Sequence, residues 1–194
     1  MIPESTRDLP LPFDAPVHVG LIRHFPVRQD FPRGWRTAEE LRRWYESYDL
    51  ADITPTDFDL GGIAWKACLT SDLPRAHRTA ERIFSGPLER TPLLREARFA
   101  PFATGGLRLP VAVWKGLLRL TWMTGHRSQR ACRDDMRERV LRVADRLTAA
   151  NRDTLVVSHA GTMVFLSREL RHRGFSGPRF QVAVHAKVYL FSRP

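Results

Sequence analysis

Short apolar runs alternating with stretches of helical spacing constrain this chain more than any other feature. Residues 17–22 (V-H-V-G-L-I) and 63–70 (I-A-W-K-A-C-L-T) each stop at polar or charged residues, as buried strands do, and 154–157 and about 181–191 read the same way. Between the first two, Thr37-Ala38-Glu39-Glu40 has capping-box form, and Leu41, Trp44, Tyr45 and Tyr48 follow at helical spacing, predicting a helix over about 37–49. Ser71-Asp72-Leu73-Pro74 predicts the cap of a second helix, with Arg75 at its start, Ala76, Thr79, Ala80 and Ile83 on one face, and Ser85-Gly86-Pro87 at its end. Met136, Val140, Val143, Ala144 and Leu147 mark a third helix. After the run at 154–157, a turn at Ser158-His159-Ala160-Gly161 leads into another, about 162–172. Such alternation predicts an α/β fold: a single three-layer domain with a mostly parallel central sheet, helices on both faces, and a ligand site beyond the carboxyl ends of the strands.

The chain's 194 residues, 43% of them hydrophobic, suffice for one core, so one domain is expected over 1–194. From Arg98 to about Arg130 the periodicity loosens around Pro101, Gly105-Gly106 and Pro110, predicting a small cap, about 97–132, with one helix near 110–123. No apolar run reaches the roughly 18 residues of a membrane span, and the proline-rich opening lacks the apolar core of a signal peptide. A cytoplasmic protein without a membrane partner is expected. Cys68 and Cys132 form no C-x-x-C pair, so neither a disulfide framework nor a cysteine zinc site is suggested. The net charge of +10 comes from arginines scattered along the chain, not from a dense basic block. Nucleic acid is therefore not an expected partner, and small anions are.

Three predicted strand ends carry charged groups: Arg23-His24 after the first, Arg75 after the second, and His159 after the last parallel one. Two guanidiniums offer fixed positive charge and bidentate donors suited to phosphate oxygens, while imidazoles supply a nucleophile and a further donor. Chemically this is a phosphate site. No P-loop or G-x-G-x-x-G fingerprint accompanies it, so no nucleotide cofactor is expected.

The motifs also resemble those of the histidine phosphatase (phosphoglycerate mutase-like) superfamily. L-I-R-H-F at 21–25 is similar to its R-H-G signature, and S-D-L-P-R-A-H-R-T-A at 71–80 to its S-x-x-x-R-A-x-x-T-A segment. Leu94-Arg95-Glu96 resembles its L-x-E acid motif, and V-V-S-H-A-G at 156–161 its V-x-S-H-G-G. The resemblance implies a phosphatase acting on small phosphorylated metabolites without metal or cofactor. His24 would form a phosphohistidine, Arg23, Arg75 and His159 would hold the transferring oxygens, and Glu96 would protonate the leaving alcohol and then activate water. A phosphomutase shares these residues, and a non-catalytic binding module can share the fold. The chain departs from the pattern at Ala160, in place of the first glycine of the pair, and at Phe25, which puts a large ring where the backbone normally passes close to the site. Arg28 and Arg33, in the loop after the signature, are read as solvated, and His185 as an ordinary histidine of the final strand.

Overall fold

The computed structural model describes residues 16–97 and 105–194. Its central sheet is built from β1 (Val17–Arg23), β3 (Ala67–Ser71), β4 (Leu88–Thr91), β6 (Thr154–Ser158) and β7 (Val188–Arg193), in the order β4-β3-β6-β1-β7. The first four are mutually parallel, and β7 closes the edge antiparallel to β1. Separately, β2 (Trp35–Arg36) and β5 (Leu109–Pro110) form a two-stranded antiparallel ribbon. The helices are α1 (Ala38–Leu50), α2 (Pro74–Ile83), α3 (Val111–Thr124), α4 (Arg130–Ala150) and α5 (Ala160–His172).

Successive side chains of a strand face opposite sides of a sheet, and the two cores follow that alternation. Leu21, Leu69 and Val156 pack with Met136, Val140, Val143, Ala144 and Leu147 of α4 and with Met163, Leu166 and Leu170 of α5. Their neighbours Ile22, Cys68, Leu155 and Val157 pack on the other side against Ala76, Ala80 and Ile83 of α2. Helices therefore cover both faces, as the buried, nearly continuous apolar strands require. A third cluster joins Ala38 and Leu41 of α1 to Val111 and Trp114 of α3.

The capping box at Thr37 and Glu40 is present, and α1 ends one residue beyond the expected boundary. Three expectations need correction. Ser71 does not cap α2 as its N-cap; Leu73 occupies that position with Pro74 behind it, and Ser71 is the last residue of β3. The turn expected at 158–161 is already helix from Ala160 onward, with His159 as its N-cap. The last strand begins at Val188 and not near 181, because the 183–186 segment spends its hydrogen bonds elsewhere: Arg23 Nη1 donates to the Ala183 carbonyl, His185 bonds the His24 carbonyl, and the Ala186 N–H donates to Arg23. In the expected cap, α3 occupies 111–124 where a helix near 110–123 was predicted, and the 98–104 portion lies outside the described residues.

Candidate active site

Because β1, β3 and β6 run parallel, their carboxyl ends share one edge, with Arg23 opposite Ser158 and Thr70 opposite Val157. The backbone turns just beyond that edge: the His24 N–H donates to the Ser158 carbonyl at 3.0 Å, keeping the residue after β1 beside the residue before His159. The rings of His24 and His159 then lie 5.1 Å apart, and His185 sits 5.1 Å from His24 on another side. Both His24 and His159 are buried, as is Arg75.

The tautomer of His24 follows from its partner. Nδ1 lies 2.6 Å from the Phe25 carbonyl oxygen, which can only accept, so the proton is on Nδ1 and Nε2 keeps its lone pair. Burial drives the His24 pKa well below the usual histidine value, and Arg75, His185 and Arg23 push it the same way against the stabilising Phe25 bond. His159 is lowered likewise, by burial first and then by His24, Arg75 and Arg23. The site thus holds neutral imidazoles beside permanent cations. Such a pairing supplies a nucleophile and anion-stabilising charge together.

His159 Nε2 is 3.0 Å from Ser71 Oγ, an arrangement that lets the hydroxyl donate and leaves a proton on Nδ1. That Nδ1, Arg23 Nε and Arg75 Nε are all buried without a hydrogen-bond partner among the described residues. Buried polar nitrogens are nearly always satisfied, so three orphans around one histidine mark a place for an oxyanion. Arg75 stands in the first turn of α2, and its Nη1 donates to Asp49 Oδ1 at 2.7 Å. Its guanidinium also lies over the Tyr48 ring at 5.1 Å. Thr79 fastens this helix to the β1 end: its hydroxyl donates to the Arg75 carbonyl and accepts the Phe25 N–H.

Glu96 enters the site at the N-terminus of α5. Oε1 accepts the N–H groups of Ala97 at 2.9 Å and Thr162 at 3.2 Å, and Oε2 accepts that of Gly161 at 3.3 Å. A helix N-terminus welcomes such a carboxylate, since its first N–H groups lack partners within the helix. Gly161 is required by this approach, because a Cβ there would meet Glu96 Oε1 at 2.6 Å.

All five expected residues, Arg23, His24, Arg75, Glu96 and His159, therefore gather around one sheet edge. The expectation for Phe25 is overturned. Its ring is fully buried in the α2-side core with Ile22, Ile53, Ala76 and Val157, and only its backbone serves the site. His185, read as a plain strand histidine, precedes the strand and belongs to the cluster: its Nδ1 donates to the His24 carbonyl at 2.6 Å. Tyr48, Asp49 and Ser71 also touch site residues without having been singled out for it. For Asp49 no local signal exists, since a loop and a strand separate it from Arg75.

No curated protein matches the chain in sequence. Among solved structures it is similar to an alpha-ribazole phosphatase from Shigella flexneri, at 20% identity and a TM-score of 0.45, covering 78% of this chain and 79% of the other. It is also similar to an Escherichia coli K-12 protein whose assignment as an alpha-ribazole-5'-P phosphatase is provisional, at 21% identity, a TM-score of 0.43 and coverage of 78% and 79%. A protein from Thermus thermophilus gives 23% identity, a TM-score of 0.39 and coverage of 78% and 84%. The family model of the histidine phosphatase superfamily (branch 1) matches residues 32–192, beginning just after Arg23 and His24. With that match spanning most of its length, the chain belongs to the histidine phosphatase superfamily.

Proposed function

We propose that the protein is a metal-independent phosphatase that hydrolyses phosphomonoesters of small anionic metabolites through a phosphohistidine on His24. The observation that carries this reading is the set of orphaned nitrogens, Arg23 Nε, Arg75 Nε and His159 Nδ1, around a histidine whose Nε2 keeps its lone pair. In the first step Nε2 attacks phosphorus and the P–O bond to the leaving alcohol breaks, with Glu96 delivering a proton to that oxygen. In the second, water attacks the phosphohistidine, Glu96 takes its proton, and phosphate leaves His24 with its imidazole restored. Arg23, Arg75 and His159 neutralise the equatorial oxygens from fixed positions, the main contribution a protein can make to phosphoryl transfer.

Glu96 has a second engagement. Both oxygens hold backbone N–H groups, so delivering a proton requires giving up part of that bonding. Hydrolysis is favoured over transfer to a second metabolite because a mutase must shield its phosphoenzyme from water. Only a short stretch between Glu96 and α4 remains to build a cover.

The test is hydrolysis of p-nitrophenyl phosphate by the purified chain in the presence of a chelator. Release of p-nitrophenol that depends on His24 is expected. Silence, or activity restored only by a divalent cation, would overturn the proposal.

A further inference from the structure

Helix α3 carries two apolar faces where the fold uses one. Val111, Trp114 and Leu118 are its buried residues, and Val111 and Trp114 pack on Ala38 and Leu41 of α1. Val113, Leu117 and Leu120, spaced four and three residues apart, make a second stripe on another side of the helix, and Met123 lengthens it by a turn. These four residues are between 38% and 69% exposed, so the core does not use them. Trp35, which pairs with Pro110 just before the helix, is exposed as well.

The charge around this stripe is of one sign. Residues 105–133 contain Arg108, Lys115, Arg119, Arg127, Arg130 and Arg133 and no Asp or Glu. Arg108 is paired with Glu40 of α1, whereas Arg119, Arg127, Arg130 and Arg133 form no ion pair with any described residue. Basic residues are scattered along the chain, but here the acidic ones that offset them elsewhere are missing.

We propose that α3 docks the protein on an anionic lipid bilayer, lying in the interface plane with Val113, Leu117, Leu120 and Met123 at the acyl boundary and the neighbouring cations among acidic headgroups. Helices with an apolar side and a Lys- or Arg-bearing polar side bind bilayers in this way. Its 14 residues fall short of the roughly 20 that a span requires, so the helix lies on the membrane and does not cross it. The expectation of no membrane partner rested on the length of apolar runs, which bears on crossing alone. A second copy of the chain fits the stripe less well, because a symmetric contact would bring Lys115 and Arg119 close to the same residues of the copy, with no carboxylate on α3 between them. A standard protein interface also takes roughly 20–30 residues a side, and the stripe offers four. The surface holds no residue of the phosphate site, so it stands whatever reaction His24 performs.

The test is flotation of the purified chain with vesicles of phosphatidylcholine alone and of phosphatidylcholine mixed equally with phosphatidylglycerol. Binding to the anionic vesicles should be at least about tenfold stronger and should fall as salt is raised. Leu117→Gln combined with Leu120→Gln, which leaves the charge unchanged, should weaken it at least about tenfold through lost apolar burial. Arg119→Gln should weaken it by about fivefold, the share of one cation near an anionic surface. These side chains are exposed, so melting temperature and circular dichroism should stay as in the unaltered chain. Val113→Thr, nearly the same in shape, guards against a folding defect and should weaken binding in the same direction. Equal binding to both vesicle types, binding that survives loss of the two leucines, or no binding at all would overturn the proposal. A chain that ignores vesicles but forms a dimer dissolved by the leucine substitutions would overturn it in favour of a second copy.

Discussion

Glu96 shows how one side chain is bound to the helix it caps. It satisfies the Gly161 and Thr162 N–H groups of α5, and its closeness to Gly161 leaves no room for a Cβ. Gly161→Ala should therefore push the carboxylate aside while leaving the fold intact, because the clashing atom is the free end of a flexible chain. We predict at least about a tenfold loss of turnover on glycerol 3-phosphate, whose alkoxide needs a proton, and a much smaller loss on p-nitrophenyl phosphate. Thermal melting should fall only slightly, since the higher helix propensity of alanine offsets part of the disturbed cap, whereas Glu96→Ala should cost about 0.5–2 kcal/mol as a lost helix cap. Equal losses on the two substrates would show that Glu96 is not the acid. Residues of this kind were legible as motifs, but the capping bonds were not, since they join Glu96 to residues more than sixty positions away.

At the scale of elements, α1 supports α2 across the site. Its Asp49 pairs with Arg75, a residue only 3% exposed, and its Tyr48 ring lies against that guanidinium. Removing one partner of a buried ion pair leaves the other charge uncompensated, so Asp49→Ala should lower stability by about 3–5 kcal/mol. Inorganic phosphate should then raise the melting temperature of Asp49→Ala more than that of the unaltered chain, by replacing the lost anion; an identical rise in both would separate Asp49 from the phosphate site. The apolar face of α2 and the long face of α4 were readable from spacing alone, because burial on one side imposes it. By contrast β4, β2 and β5 escaped notice. Each is two to four residues long and carries no full alternation, and β4 is a sheet edge with Glu89 and Arg90 exposed. The 181–187 stretch misled in the other direction. Its alternating residues look like a strand, yet Ala186 has a φ of 56° and the hydrogen bonds of this segment serve Arg23 and His24.

For the whole molecule, burying two imidazoles and half-burying a third beside two arginines couples stability to pH. The pKa values of His24, His159 and His185 are all lowered, foremost by burial. Below the ordinary histidine value of 6.5 the unfolded chain takes up protons that the folded chain refuses, so this contribution is complete above pH 6.5 and is lost as pH falls beneath it. Urea midpoints should drop steadily from pH 7 to pH 5, and His159→Gln, which takes up no proton, should flatten the profile; a rise toward pH 5 would contradict neutral buried imidazoles. The convergence of Arg23, His24, Arg75 and His159 was legible because parallel strands present their carboxyl ends together, a property of topology that short apolar runs already imply. The direction of the Phe25 side chain was not, since the side of a chain that a residue faces after a strand ends depends on the local turn. Among the described residues no helix is long and apolar enough to cross a membrane. The nucleophile is tested most directly by denaturing the enzyme in alkaline detergent during turnover of a labelled phosphomonoester. Label stable to base, released by acid and absent from His24→Ala is expected, whereas label persisting in that variant would contradict a phosphohistidine on His24.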